Sequence, residues 1–202
     1  MAKENNFLLF GKWSLEEVQI EDPALKDYLS LRSLNVPYSF GRLNPTRFYK
    51  AQMNPVERLI NKLLVPGHKG KKHFISSGHF GGKKTKATKI VIKAFEIIEK
   101  QKKTNPLVVF YKAIENAAPR EEITTIEYGG ARYPKAVDCS PIRRIDLALR
   151  FFVQSAYQKA FNSKKKIYQA LAEEIMYAYD NNPQSMAIAK KTELEKQADA
   201  SR

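Results

Sequence analysis

Gly78-His79-Phe80-Gly81-Gly82-Lys83-Lys84-Thr85 has the glycines, lysines and hydroxyl with which a loop can cradle a phosphate. A nucleotide-binding phosphate loop needs Gly, four residues, then Gly-Lys and Ser or Thr, so that backbone N–H groups, amine and hydroxyl converge. Here three residues separate Gly78 from Gly82, and Lys84 stands where the hydroxyl should be. Shifting the frame to Ser77 or Gly81 does not repair the spacing, and no buried strand precedes it. His68, His73 and His79 lie within twelve residues, but a structural zinc site wants a fourth ligand, usually a thiolate, and Cys139 is distant in sequence. They read as neutral loop histidines able to donate to phosphate or water, with no metal and no cofactor. Glu121-Glu122 is a possible carboxylate dyad, although beside Arg120 at the start of a predicted hairpin it reads better as solvated surface charge. No Ser/His/Asp arrangement is singled out. No catalytic residue is predicted, and the chain does not read as an enzyme.

The positive side chains carry more. Lys69, Lys71, Lys72, Lys83, Lys84, Lys86 and Lys89 lie among glycines that let a backbone approach a surface closely. Phe74, Phe80 and the histidines are interleaved and can stack on bases. Arg42, Arg47 and Lys50 continue the basic character upstream. Arg143 and Arg144 fall in the opening turn of a predicted helix, with Arg150 further along it. Free backbone N–H groups at such a turn favour anions, and arginine there without an acidic partner is disfavoured by the helix dipole. A bound phosphate explains the arrangement; local packing and ion pairing of Arg144 and Asp146 is the alternative.

Charge is concentrated rather than spread. Of the net +14, residues 41–103 carry 16 positive against 3 negative side chains, net +13, while residues 1–40 are net −2 and 104–140 net −1. Solubility alone requires no such block, whereas neutralising phosphates and releasing their counterions does. No apolar run approaches the ~20 residues of a membrane-spanning helix, and Met1 to Phe10 lacks a signal-peptide pattern. The single cysteine, Cys139, reads as a small buried apolar residue and suits a reducing cytoplasm.

These side chains need a scaffold, and the spacing predicts a mainly α one. Residues 1–53 read as an extended N-terminal arm and basic linker, with a short extended piece at Trp13, Val18 and Ile20 and a brief helix opened by Asp22-Pro23. Residues 35–50 read as irregular. The helical domain, 54–202, opens at Asn54-Pro55, an N-cap followed by proline, with Val56, Leu59, Ile60 and Leu63 on one stripe. A long loop runs over 68–86. Helices follow over about 85–103, from Asn105-Pro106 to Ala117, from Ser140-Pro141, over about 164–179 and over about 185–200. Strand formers and Gly129-Gly130 place a protruding β-hairpin at about 121–139, with Pro134 at a bulge or edge position. The expected architecture is a bundle of about six helices with one hairpin.

Several segments taken in order resemble one family: Phe10-Gly11-Lys12-Trp13-Ser14, Pro55-Val56-Glu57-Arg58-Leu59-Ile60-Asn61, Ala94-Phe95-Glu96-Ile97-Ile98 and Asn105-Pro106-Leu107. Ala113-Ile114-Glu115-Asn116, Pro119-Arg120-Glu121, Ala136 to Arg144, Leu171-Ala172-Glu173-Glu174-Ile175 and the ending Ser201-Arg202 complete the pattern. The chain resembles the universal small-subunit ribosomal protein numbered seven in bacteria and five in eukaryotes, in its archaeal–eukaryotic branch. The resemblance implies a cytoplasmic protein of the small ribosomal subunit that binds the 3′ major (head) domain of the rRNA and nucleates head assembly. It also implies neighbouring ribosomal proteins as partners, and a hairpin near messenger RNA and the exit-site transfer RNA. By position, Arg47 and Lys50 belong to the linker that tracks rRNA, and Lys71 and Lys72 match the family's first basic loop. Arg143 and Arg144 match its helix start. Tyr128, Gly129, Gly130, Arg132 and Tyr133 belong to the hairpin. The loop from His73 to Lys86 is longer than that pattern, and the hairpin is poorer in Arg and Lys. The competing reading from the residues is an architectural double-stranded DNA-binding protein, since a hairpin on a helical base can also enter a minor groove.

Overall fold

Among the described residues, proline directly after a short polar residue starts four helices, because its fixed φ is already helical and it has no N–H of its own to be orphaned. In a computed structural model that describes residues 8–32, 34–66 and 79–202, the side chains of Asp22, Asn54 and Asn105 accept from the N–H groups of Ala24, Val56 and Leu107 at 2.9–3.0 Å. From the N-terminus, α1 (Pro23–Lys26) and α2 (Tyr49–Gln52) are single turns. Then come α3 (Pro55–Leu63), α4 (Lys84–Lys102), α5 (Pro106–Ala117), the hairpin of β1 (Glu121–Tyr128) and β2 (Ala131–Asp138), α6 (Pro141–Ala160), α7 (Ile167–Tyr179) and α8 (Met186–Asp199). The mainly α bundle with one hairpin is as predicted. Two details differ: the stretch expected to be irregular ends in α2, and α7 begins at Ile167 because Asn162, left-handed at φ 51°, and the turn after it delay the helix.

The long helices bury one face each. Helix α7 packs against α4, α5, α6 and α8, and its Ala170, Leu171, Ala172, Ile175 and Ala178 are fully buried. Alanines at that spacing let four neighbours approach, while Phe95, Phe110 and Phe152 fill the remaining volume. A fully buried carboxylate sits among them. Glu174 accepts from Ser155 Oγ at 2.6 Å, Lys159 Nζ at 2.7 Å, Ser185 Oγ at 2.7 Å and the Ala187 N–H at 3.0 Å, joining α6, α7 and the start of α8.

The predicted arm is extended in having little helix, but residues 8–32 lie against the bundle as a strap. Leu9, Trp13, Leu15, Val18, Leu25 and Leu29 are buried, and Trp13 meets Phe95 edge-on with centroids 5.7 Å apart. Polar ties match: Glu115 accepts from the N–H groups of Glu21 and Asp22, Asn105 donates to Ser14 O, and the Tyr111 hydroxyl donates to Ser30 O.

β1 and β2 pair antiparallel without a bulge, from Glu121↔Asp138 to Tyr128↔Ala131. Gly129 and Gly130 have φ of 58° and 83°, the left-handed pair a two-residue turn demands. Counting from the hydrogen-bonded pair beside that turn, Pro134 opposite Thr125 falls at a non-hydrogen-bonded position, so its missing N–H costs the ladder nothing. The base is held where Arg120 O accepts from the Cys139 N–H and Glu195 of α8 accepts from the Arg120 N–H.

Candidate nucleic-acid interface

Helix α3 buries one side against α4 and lays the opposite edge against α6. Arg58 and Lys62, four residues apart on α3, therefore face Asp146 and Arg150, four apart on α6. With Lys50 from α2 they line an open cleft of about 600 Å³ that also includes Asn44, Tyr49 and Met53. Lys50 Nζ lies 2.7 Å, Arg58 Nη2 3.3 Å and Lys62 Nζ 3.7 Å from the Asp146 carboxylate. Three cations meet one carboxylate and Arg150 lines the same cleft, so it keeps a positive surplus after internal pairing. Burial disfavours the Asp146 anion, but Lys50, Arg58 and Lys62 outweigh it and hold its pKa below the ordinary value. Burial lowers the pKa of Lys62 and of Arg58, the attraction of Asp146 opposing it. Arg58 is 3% exposed, and among the described residues its Nε and Nη1 have no hydrogen-bond partner.

The N-terminus of α4 is the second cationic feature. Lys83 caps it without a side-chain bond, Lys84 and Lys86 lie in the first turn, and no acidic side chain is present there. Lys84 Nζ pairs with the buried carboxylate of Glu57 at 3.1 Å and sits 3.4 Å from the centre of the Tyr38 ring. Lys83 and Lys86 are exposed. Arg42 and Arg47 are exposed on the segment before α2. Lys69, Lys71 and Lys72, like His68, His73 and Phe74, lie outside the described residues. Phe80 is not a free stacking ring, since it packs against the core.

At the start of α6 the outcome differs from the expectation of arginines lacking an acidic partner. Arg143 donates from Nε and Nη2 to Glu122, which raises its pKa. Arg144 is buried, its Nη2 bonded to Asp22 at 2.8 Å and its Nε to Pro119 O at 3.2 Å. The acids arrive from β1 and from the strap, which no local sequence window reveals. Arg144 thus follows the alternative reading of packing and ion pairing. Glu121 and Glu122 are not a dyad, because Glu121 pairs with Arg202 and Glu122 with Arg143. Cys139 is buried, and burial, then the nearby Glu122 charge, pushes its thiol up to about 11, so it is protonated at neutral pH. Among the described residues no cluster of His, Cys, Asp and Glu could hold a metal, and no helix is long and apolar enough to cross a membrane.

On the hairpin, Ile126 and Tyr133 face each other across the strands and Tyr128 shares their face. Tyr128 is 82% exposed, and Tyr133 and Ile126 are also exposed. Arg132 lies 3.7 Å from Glu127 on the other face. Arg58 and Lys62 escape a reading based on apolar stripes because they belong to a helix whose core-facing residues dominate the pattern. Their i,i+4 spacing against Asp146 and Arg150 was the available signal.

Among the described residues, one helical bundle thus carries a cationic cleft, a lysine-rich helix start and a hairpin with exposed aromatic rings. Residues 39–202 match the family described as Ribosomal protein S7p/S5e, and the chain belongs to that family. Small ribosomal subunit protein uS7 of Nanoarchaeum equitans is 56% identical over 194 residues, covering 96% of this chain and 98% of the relative. The proteins of the same name from Archaeoglobus fulgidus and Cenarchaeum symbiosum are 46% and 44% identical, over 98% and 100% of this chain and 97% and 100% of the relatives.

Proposed function

We propose that the chain is a structural constituent of the small ribosomal subunit, not an enzyme, and that it binds the 3′ major (head) domain of the rRNA and nucleates head assembly. The observation that carries this is the concentration of net +13 in residues 41–103, part of which converges with Arg150 on the Asp146 cleft. The cleft takes backbone phosphates, with Lys50, Lys62 and Arg150 as the reachable cations and Arg58 fixing the carboxylate between them. Arg42, Arg47, Lys83, Lys84, Lys86 and the basic loop with Lys69, Lys71 and Lys72 extend the contact, and Arg143 keeps an exposed edge toward it. Arg144 acts from inside the fold. Because the deep major groove of A-form RNA hides sequence, recognition rests on shape and unpaired bases.

The hairpin reaches toward messenger RNA and the exit-site transfer RNA, and the rest of the surface meets neighbouring small-subunit proteins. With Arg132 beside Glu127, the contact made by Tyr128, Gly129, Gly130 and Tyr133 is one of rings and close backbone approach more than of charge. The same shortage of free cations on the hairpin speaks against insertion into a DNA minor groove.

The test is a filter-binding titration of the full chain with a transcript of the rRNA 3′ major domain. Exchanging Lys71 and Lys72 for Glu, or Arg150 for Glu, should weaken binding at least tenfold. Wild-type affinity should fall steeply with salt, with a slope near −1 per phosphate neutralised. Salt-insensitive binding, or preference for duplex DNA in competition at physiological salt, would contradict the reading.

A further inference from the structure

We infer that two exposed rings, Phe40 stacked on Tyr38 and Phe48 further along the same segment, each take an unpaired base of a single-stranded RNA segment. This rests on the RNA-binding reading above and adds to it a site for bases where the cleft serves phosphates. Phe40 is 69% exposed and Phe48 62%, in a chain whose Phe95, Phe110 and Phe152 are fully buried. Both exposed residues have left-handed backbones, φ 53° and 58°, which a residue with a bulky side chain adopts only when its surroundings hold it there.

The surroundings do hold the first of them. Between Tyr38 and Phe40, Ser39 donates from its N–H and its hydroxyl to the buried Glu57 carboxylate at 2.9 and 3.1 Å. Tyr38 and Phe40 stack with centroids 4.0 Å apart and planes 24° from parallel, and Lys84 Nζ lies 3.4 Å from the Tyr38 centre. Phe40 thus ends a short built stack and presents an open ring. Over one side of each exposed ring stands a guanidinium, its carbon 5.9 Å (Arg42) from the Phe40 centre and 5.0 Å (Arg47) from the Phe48 centre.

The charge selects the occupant. No Asp or Glu occurs between Asp27 and Glu57, while Arg32, Arg42, Arg47 and Lys50 do. An apolar protein surface would match the rings but leave the guanidinium groups without partners. A nucleotide matches both, its base on the ring and its phosphate on the arginine. The base must be unpaired, since bases inside a duplex have no face to offer.

The experiment uses the full chain and the 3′ major domain transcript, titrated at several potassium chloride concentrations. Replacing Phe40 and Phe48 together by Leu should lower affinity roughly tenfold or more, the range expected for losing a stacked base or two, with the salt slope unchanged. Replacing both by Trp should restore it. Replacing Arg42 and Arg47 by Ala should instead flatten the slope by about one to two units. The inference is overturned if the Leu pair binds like the wild type, if Leu and Trp variants lose affinity equally, or if the Leu pair binds the transcript normally but fails to take up neighbouring proteins during subunit reconstitution. A fall in Tm that accounts for the lost affinity also overturns it, because the rings would then serve folding. Wild-type protein that does not bind the transcript at all would defeat the RNA reading itself, a result distinct from all of these.

Discussion

Glu174 shows how a single side chain ties helices together. An unpaired buried carboxylate is too costly to keep, so its value lies in the four donors that converge on it from α6 and the start of α8. Glu174→Ala leaves two hydroxyls, an ammonium and a backbone N–H without their acceptor. It is expected to destabilise the chain by about 3–5 kcal/mol, measured by urea unfolding. Glu174→Gln retains the shape and two hydrogen-bonding groups and should cost less; equal loss for the two would show that the charge and its acceptor oxygens, not packing volume, matter there. Arg58 is a contrasting residue. Its Asp146 pair is satisfied at one nitrogen while, among the described residues, Nε and Nη1 have no partner, so a buried cation keeps unmet donors beside the open cleft.

At the scale of elements, helix starts and the hairpin turn are written locally and can be perturbed locally. Gly130 has φ 83°, a conformation that β-branched residues rarely reach. A β-carbon at this position would meet nothing within 4 Å, so strain and not collision is the effect of a substitution. Gly130→Val should disorder the hairpin tip, seen as faster amide exchange in residues 126–133, while Tm changes by under about 1 °C because among the described residues the tip is exposed. A large fall in Tm would show that the hairpin contributes to the bundle. The elements that local sequence does not write are the strap and α2. Trp13, Leu15 and Val18 are too few and too irregularly spaced to announce a buried face, and the ring that Trp13 meets, Phe95, lies on α4. Helix α2 is one turn long and buries no residue of its own, so no apolar period marks it.

For the molecule as a whole, the ion pairs that join distant parts set its response to acid. Asp22 ties the strap to Arg144, and Asp146 ties α6 to α2 and α3. Burial works against the Asp22 anion, but the hydrogen bonds from Arg144 and the Ala24 N–H win, and its pKa, like that of Asp146, lies below the ordinary value of 3.8. A carboxylate whose pKa is depressed on folding contributes stability above its unfolded value and loses it as pH falls through the folded one. Stability should therefore be level above about pH 5 and decline below about pH 4. In the double variant Asp22→Asn, Asp146→Asn that decline should be shallower and start from a lower plateau, as measured by chemical unfolding across pH. An unchanged profile would show that other carboxylates govern acid unfolding.

What the sequence determined by itself was everything of short range: caps and prolines at helix starts, apolar stripes, the Gly129-Gly130 turn, and the crowding of cations into residues 41–103. Those signals lie within a few residues of one another, so they can be read without knowing how the chain returns on itself. Only the tertiary structure decided which cations also meet an acid inside the fold. Arg144 is paired across 122 positions, Lys50 across 96 and Lys84 across 27, while Arg42 and Arg47 remain exposed with aromatic rings beside them. Whether a charge faces an internal acid or an external phosphate depends on which elements pack together, and a charge count along the chain carries no trace of that.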